Sequence, residues 1–218
     1  MRSFRPLPRR FYEPSAKVVA PALLGHWLIR NTPEGPCGGP IVETEAYLVG
    51  DPASHGAPGP TARNRVMFGA PGHGYIYLIY GYHYCMNTVC QPAGVAEAVL
   101  IRAVEVDLGE GLMRRRRVVD ATRDLTNGPG KLCVAMDIDC GLDGADLCEA
   151  SSPLFIARNP AVEAFRRANG PIVITTRIGL TRAADLPLRF YLEGSPFVSR
   201  WSSSRRTPAP RRRSAGGG

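Results

Sequence analysis

Lysine is almost missing from this chain: Lys17 and Lys131 stand against 25 arginines in 218 residues. A reaction that needs a side-chain amine as nucleophile therefore has two candidates at most. No CxxC pair occurs among the six cysteines, at 37, 85, 90, 133, 140 and 148, which excludes the commonest zinc and thiol–disulfide spacings. His83 and Cys85 are the nearest thing to a ligand pair; with no second close pair, no metal is expected, and the cysteines read as reduced, buried thiols. No apolar run approaches the roughly 18 to 20 residues that span a bilayer. The start, MRSFRPLPRRFYEP, carries charge without the apolar core of a secretory signal, so a cytoplasmic chain with no membrane partner is expected.

Acid is missing from both ends. Residues 1–10 hold four arginines and residues 205–213 hold five, so the formal charge of +8 leaves 11–204 at a net −1. Clustered cations suit phosphate binding through counterion release, yet here the basicity lives in the termini and function must be read from a site. The length and the 44% hydrophobic content are enough for one well-cored domain. The expected organisation is a basic arm over 1–10, a single domain over 11–201, and a disordered Arg-rich tail over 202–218 that lacks apolar residues.

Ser15 followed by AKVVAPALLG reads as a capped helix bent at Pro21 and stopped by Gly25. HWLIR reads as a short strand, and NTPEGPCGGP as turn chemistry. In IVETEAYL, the alternation puts Ile41, Glu43, Glu45 and Tyr47 on one strand face. Residues 49–71 are rich in Gly, Pro and Ala and predict a long loop, which in a compact domain points to function. GYIYLIYG and HYCMNTVC, separated by a Gly81-centred turn, and then AEAVLIRAVEV predict an antiparallel meander. LGEGLMRRRRV, PGKLCVAMD with Pro129 in its first turn, and AVEAFRRAN read as helices, and PIVITTRIGL and PLRFYLEG as strands. The fold class expected is α+β: one mixed domain with a curved antiparallel sheet flanked by helices.

Three features carry chemistry, and each has an ordinary structural alternative. Glu43 and Glu45 are either solvated strand residues and ion-pair partners, or a general base beside aromatics at a strand end. The tyrosines of YIYLIYGYHY either pack in the core or offer flat, electron-rich faces that stack or wedge bases, with Tyr75 and Tyr77 on one strand face and Tyr80 at the turn. Asn87 and Arg102 interrupt apolar runs, so both are either satisfied structurally or aimed into a pocket.

IVETEAY, the His55 loop, RNRVMF, YIYLIYGYHYCMN, VLIRAVE, NGPGKLC and PLRFYLEGSPFVS resemble, in this order, the alkyladenine (3-methyladenine) DNA glycosylase family over residues 11–200. The resemblance implies a base-excision enzyme that flips alkylated or deaminated purines, such as 3-methyladenine, 7-methylguanine, hypoxanthine and etheno-adenine, out of double-stranded DNA. It would hydrolyse the N-glycosidic bond without a cofactor. By the same resemblance Glu45 is the general base, Tyr47, His55 and Tyr77 are base-stacking walls, Tyr80 is the intercalating residue, and Asn87 screens the purine 2-amino edge. Arg102 falls at a position near the active-site phosphate and Met67 in a loop that approaches the lesion; Arg63, Arg65 and Lys131 are expected DNA contacts.

Tyr82 and His83 depart from the Met and Tyr of mammalian relatives, and the tail after Trp201 has no counterpart. A cationic alkylpurine would gain roughly 0.5 to 2 kcal/mol over the faces of Tyr47 and Tyr77. With so few amines, simple hydrolysis to an abasic site is expected rather than backbone cleavage, by a monomer that associates with the bacterial nucleoid when on DNA. Two rival classes remain at this level: a catalytically silent nucleic-acid-binding module, and a small-molecule transferase or hydrolase on a similar scaffold.

Overall fold

The computed structural model describes residues 4–199, so the tail over 202–218 and the first three residues of the basic arm lie outside the described residues. Helix α1 spans Ala16–Leu23. Its first turn rests on one carboxylate: Glu97 Oε2 accepts from the Ala16 amide and the Ser15 hydroxyl, both at 2.8 Å, placing negative charge at the positive end of the helix dipole. Pro21 sits inside the helix, which ends before Gly25 turns the chain at a φ of 85°.

Eight antiparallel strands form the curved sheet: β1 (Trp27–Thr32), β2 (Gly35–Tyr47), β3 (Gly74–Ile79), β4 (His83–Cys90), β5 (Glu97–Val104), β6 (Leu154–Ala157), β7 (Ile172–Thr175) and β8 (Arg189–Leu192). The main order is β3-β4-β5-β2-β1-β6, and β8 joins β7 to β2. The expected meander is β3–β4–β5. Strand β2 is the hub: its first half pairs with β1, and its second lies between β5 and β8. The β2–β5 register shifts on either side of Glu43, and such irregularities re-aim side chains next to functional sites.

GPCGGP is not a turn, as expected from its composition, but the opening of β2. Packing overrides propensity here. A Cβ on Gly38 would stand 2.0 Å from the Leu28 carbonyl oxygen, and one on Gly39 1.7 Å from that of Glu105; only glycine allows the approach. Strand β6, a four-residue run at the sheet edge, had no counterpart in the sequence reading.

Helices α2 (Glu110–Arg116), α3 (Pro129–Met136) and α4 (Val162–Ala168) fall where expected. The core fills the space between α1, α3 and the sheet with Val19, Leu23, Ile76, Met86, Ile101 and Met136, all buried. The arginine run of α2 is engaged with acids: Arg114 with Glu110 at 2.8 Å, and Arg115 and Arg116 with Glu34 at 2.9 Å each. No helix among the described residues is long and apolar enough to cross a membrane.

Candidate active site

Strand β2 delivers Glu43, Glu45 and Tyr47 to one side of the sheet, while the intervening Thr44 donates 2.9 Å to the Ala20 carbonyl of α1 on the other. Glu43 and Glu45 have no exposed surface, and a buried carboxylate must be paired and hydrogen-bonded. Arg102, on the adjacent β5, supplies the shared countercharge: Nε lies 3.0 Å from Glu43 Oε1 and Nη1 3.2 Å from Glu45 Oε1. Burial opposes the Arg102 charge, but the two carboxylates outweigh it and hold its pKa above the ordinary arginine value.

The two glutamates differ in their remaining partners. Glu43 accepts from Arg189 Nε at 2.6 Å and from the Ser199 amide and hydroxyl at 2.7 Å each, so it is saturated by structure. Glu45 accepts from the Ile178 amide at 2.8 Å and from the Tyr47 hydroxyl at 3.0 Å. Those two partners and Arg102 line a cavity of about 290 Å³. Glu45 thus stands immediately behind the cavity wall, and Glu43 deeper in the scaffold.

Aromatic rings form the cavity walls. His55, from the 49–71 loop, packs its ring 4.2 Å from that of Tyr77, and Tyr75 lies 5.3 Å from Tyr77 on the same strand face. His55 Nδ1 is 3.0 Å from the Tyr75 hydroxyl. Burial, and then the Arg63 charge, lowers the His55 pKa and favours its neutral ring. Burial pushes Tyr75 up to about 12. Tyr47 rises further, through burial and then the Glu45 charge, and Tyr77 through burial and then Cys85. All three tyrosines remain phenols, able to donate.

The loop that carries His55 is held by Asn64, which donates 2.7 Å to the His55 carbonyl and 3.0 Å to that of Gly59 while accepting from Thr61. In RNRVMF, then, the asparagine organises the loop; the flanking Arg63 and Arg65 are exposed. Arg63 donates 2.6 Å to the Leu78 carbonyl.

Tyr80 stands at the cavity mouth, 72% exposed, on the tip of the β3–β4 hairpin. Tyr80 and Gly81 have φ of 55° and 77°, and the Tyr82 amide donates back to Ile79 at 3.3 Å. Two consecutive left-handed residues make a type I′ turn, where Asn-Gly is the comfortable choice.

Of the residues singled out from sequence, Tyr47, His55, Met67, Tyr77, Tyr80, Asn87 and Arg102 line this one cavity, with Glu45 behind it. Asn87 is buried, and its Nδ2 donates 3.1 Å to the Tyr75 carbonyl. Arg102 and Met67, expected to touch DNA, are both buried. The Arg102 guanidinium is engaged by the two carboxylates, and Met67 packs with Tyr75 and Val89. Lys131 lies one residue beyond Gly130 of the cavity rim, but its Nζ donates 2.8 Å to Asn127. Sequence reasoning missed Asp51, Arg177 and Ile178; the last two fall over 130 residues after Glu45, in a segment whose composition announces nothing. Among the described residues no group of three His, Cys, Asp or Glu converges as a metal site.

A buried carboxylate behind an aromatic-walled cavity, at one end of an antiparallel sheet, is an arrangement suited to an enzyme that takes a flat ring. The chain is matched over residues 10–196 by the model of the family described as methylpurine-DNA glycosylase. It is 50% identical to a protein of Methanoculleus marisnigri over 194 residues, covering 89% of this chain and 98% of that one. It is 45% identical to one of Carboxydothermus hydrogenoformans, with the same coverage, and 48% identical to one of Rhodopseudomonas palustris, covering 89% and 90%. Each bears the name "Putative 3-methyladenine DNA glycosylase". This chain belongs to the methylpurine-DNA glycosylase family, and is a DNA-repair glycosylase for alkylated purines.

Proposed function

We propose that this protein extrudes 3-methyladenine, 7-methylguanine, hypoxanthine or etheno-adenine from double-stranded DNA, and that Glu45 activates the water that releases the base. The observation that carries this reading is the placement of Glu45: buried, held by Ile178, Tyr47 and Arg102, and directly behind the cavity those three line. As the glycosidic bond lengthens, the sugar gains oxocarbenium character; a nearby carboxylate stabilises that charge and takes the proton of the attacking water. Arg102 holds Glu45 in place and balances its charge.

A base within the duplex is out of reach, so extrusion must come first, at a cost of a few kcal/mol in stacking. Tyr80, an exposed ring on a rigid turn, fills the vacated space. The flipped purine stacks between Tyr47 on one side and Tyr77 with His55 on the other. A neutral His55 adds no repulsion against a cationic lesion. Asn87, its amide oriented by the Tyr75 carbonyl, faces the purine edge where guanine bears its 2-amino group. Arg63 and Arg65, exposed beside the cavity, meet the DNA backbone.

Release is by water and leaves an abasic site. Lys17 and Lys131 are the only lysines of the chain, and the Lys131 Nζ is engaged with Asn127, which supports hydrolysis over a Schiff base with the sugar. Glu45→Gln is expected to reduce single-turnover base release from a hypoxanthine duplex by about 10² to 10⁴-fold while retaining lesion binding. Release at the wild-type rate would overturn the assignment of Glu45, and a borohydride-trapped adduct would overturn the hydrolytic route.

A further inference from the structure

Against one face of Tyr47 lies a second buried ion pair that the reaction as described does not use. Arg177 and Asp51 are joined through the two terminal guanidinium nitrogens: Nη1 meets Asp51 Oδ2, and Nη2 lies 3.1 Å from Oδ1. Their side chains are 0% and 2% exposed. Such a pair is costly to bury, and replacing it by apolar groups is commonly neutral or stabilising, so stability alone is a weak account of it.

Its connections lead to the site. Arg177 Nη1 also donates 3.0 Å to the Ala46 carbonyl, between Glu45 and Tyr47. The guanidinium carbon sits 4.6 Å over the centre of the Tyr47 ring. Arg177 precedes Ile178, whose amide donates to Glu45, and Asp51 opens the loop that brings His55 to the cavity. One ion pair thus ties together the strand carrying Glu45, the segment that hydrogen-bonds it, and the loop supplying an aromatic wall. Asp51 also accepts from the Ala53 amide at 2.9 Å, which fixes the first turn of that loop.

We propose that Asp51 and Arg177 are positioning residues for base release: the pair fixes the Ile178 amide on Glu45 and backs the Tyr47 ring, so that carboxylate and stacked base keep their mutual geometry. Neither residue touches the substrate. The proposal rests on the reading of Glu45 as the water-activating group. A displacement of about 1 Å at a reacting centre costs on the order of 10²-fold in rate, whereas the walls His55 and Asn87 keep anchors of their own, Asn64 and Tyr75, that hold the lesion site when the pair is broken.

The test measures single-turnover release of hypoxanthine from a duplex and, separately, the Kd for that duplex, for Arg177→Gln, Arg177→Lys and Asp51→Asn, alone and combined with Glu45→Gln. Arg177→Gln and Asp51→Asn are expected to slow release by about 10 to 100-fold with Kd changed less than about threefold. Arg177→Lys, which keeps the cation behind Tyr47, should recover part of the rate. Combined with Glu45→Gln, neither change should lower the residual rate further, because nothing remains to be positioned. If Arg177→Gln does not fold, the Arg177→Lys and Asp51→Asn variants carry the same comparison. Release at the wild-type rate in these variants, or losses in binding that match the losses in rate, would overturn the positioning role. A normal rate in Glu45→Gln alone would instead sink the reading of Glu45, so the two failures are distinguishable.

Discussion

The two halves of β2 belong to one strand and follow opposite rules. Its first half, Gly35 to Pro40, contains three glycines where neighbouring backbone leaves no room for a side chain at positions 38 and 39. Its second half, Ile41 to Tyr47, buries two carboxylates that need Arg102, Arg189, two amides and two hydroxyls to be tolerated. The first half holds shape by removing chemistry; the second is expensive to fold because it carries chemistry. Rigidity at one end of a strand supports charge at the other, as a functional site on a regular element requires.

The sharpest way to break that contrast is to change one residue in each half. Glu45→Gln should cost the largest effect in rate, the 10²-fold or more given above, while leaving a cooperative thermal transition near that of the parent, since the amide oxygen can still accept from Ile178 and the Tyr47 hydroxyl can turn to accept from the amide NH2. Gly39→Ala should do the reverse. A methyl group 1.7 Å from the Glu105 carbonyl oxygen forces the backbone apart, and a loss of about 4 kcal/mol is expected, or roughly 10 °C in Tm. The folded fraction should still release base at close to the parent rate; normal stability in this variant would show that the sheet yields more easily than its packing indicates. The Arg177 and Asp51 variants fall between in rate, and because each leaves its partner's charge buried and unpaired, a thermal penalty of about 3 to 5 kcal/mol accompanies the slower release.

Acid should reach the scaffold half first. His26, just before β1, is buried and accepts from the Asn159 amide at 3.1 Å. Burial, followed by the charges of Arg166 and Arg158, lowers its pKa to about 4. A histidine that resists protonation when folded but accepts a proton near pH 6.5 when unfolded favours unfolding in acid. Its contribution is complete above pH 6.5 and is lost as the pH falls towards 4, amounting to about 3 kcal/mol. Urea midpoints measured across that window should decline with pH, and less steeply in His26→Gln; an unchanged slope would remove His26 as the cause.

How much of this was legible in the residues differs along the same strand. Alternation in IVETEAY placed Glu43, Glu45 and Tyr47 together, because period-two patterning is local and survives packing. The hairpin of tyrosines and the long loop with His55 were legible for similar reasons. GPCGGP was not, since glycine and proline signal a turn wherever tertiary contacts do not override them, and the contacts that do so come from Leu28 and Glu105. Alternation alone did not separate Glu43 from Glu45, which only the family resemblance did: what distinguishes them physically is Ser199 and Arg189 on one, Ile178 on the other, all from the far end of the chain. Asp51 and Arg177 were invisible because their partnership spans 126 residues. Arg102 was visible as an odd residue in an apolar strand, but its pairing with the two carboxylates appears only once β2 and β5 are joined.

The hairpin tip has a bearing on the wedge role proposed for Tyr80. Tyr80 occupies a left-handed backbone position that a bulky residue adopts at a cost of roughly 1 to 2 kcal/mol, and that cost is met when the chain folds. In the intercalating role proposed for it, a ring already projected into solvent on the short 80–82 turn would have little backbone freedom left to lose at each undamaged base pair. The expense is incurred once per molecule, and the saving recurs at every site tested.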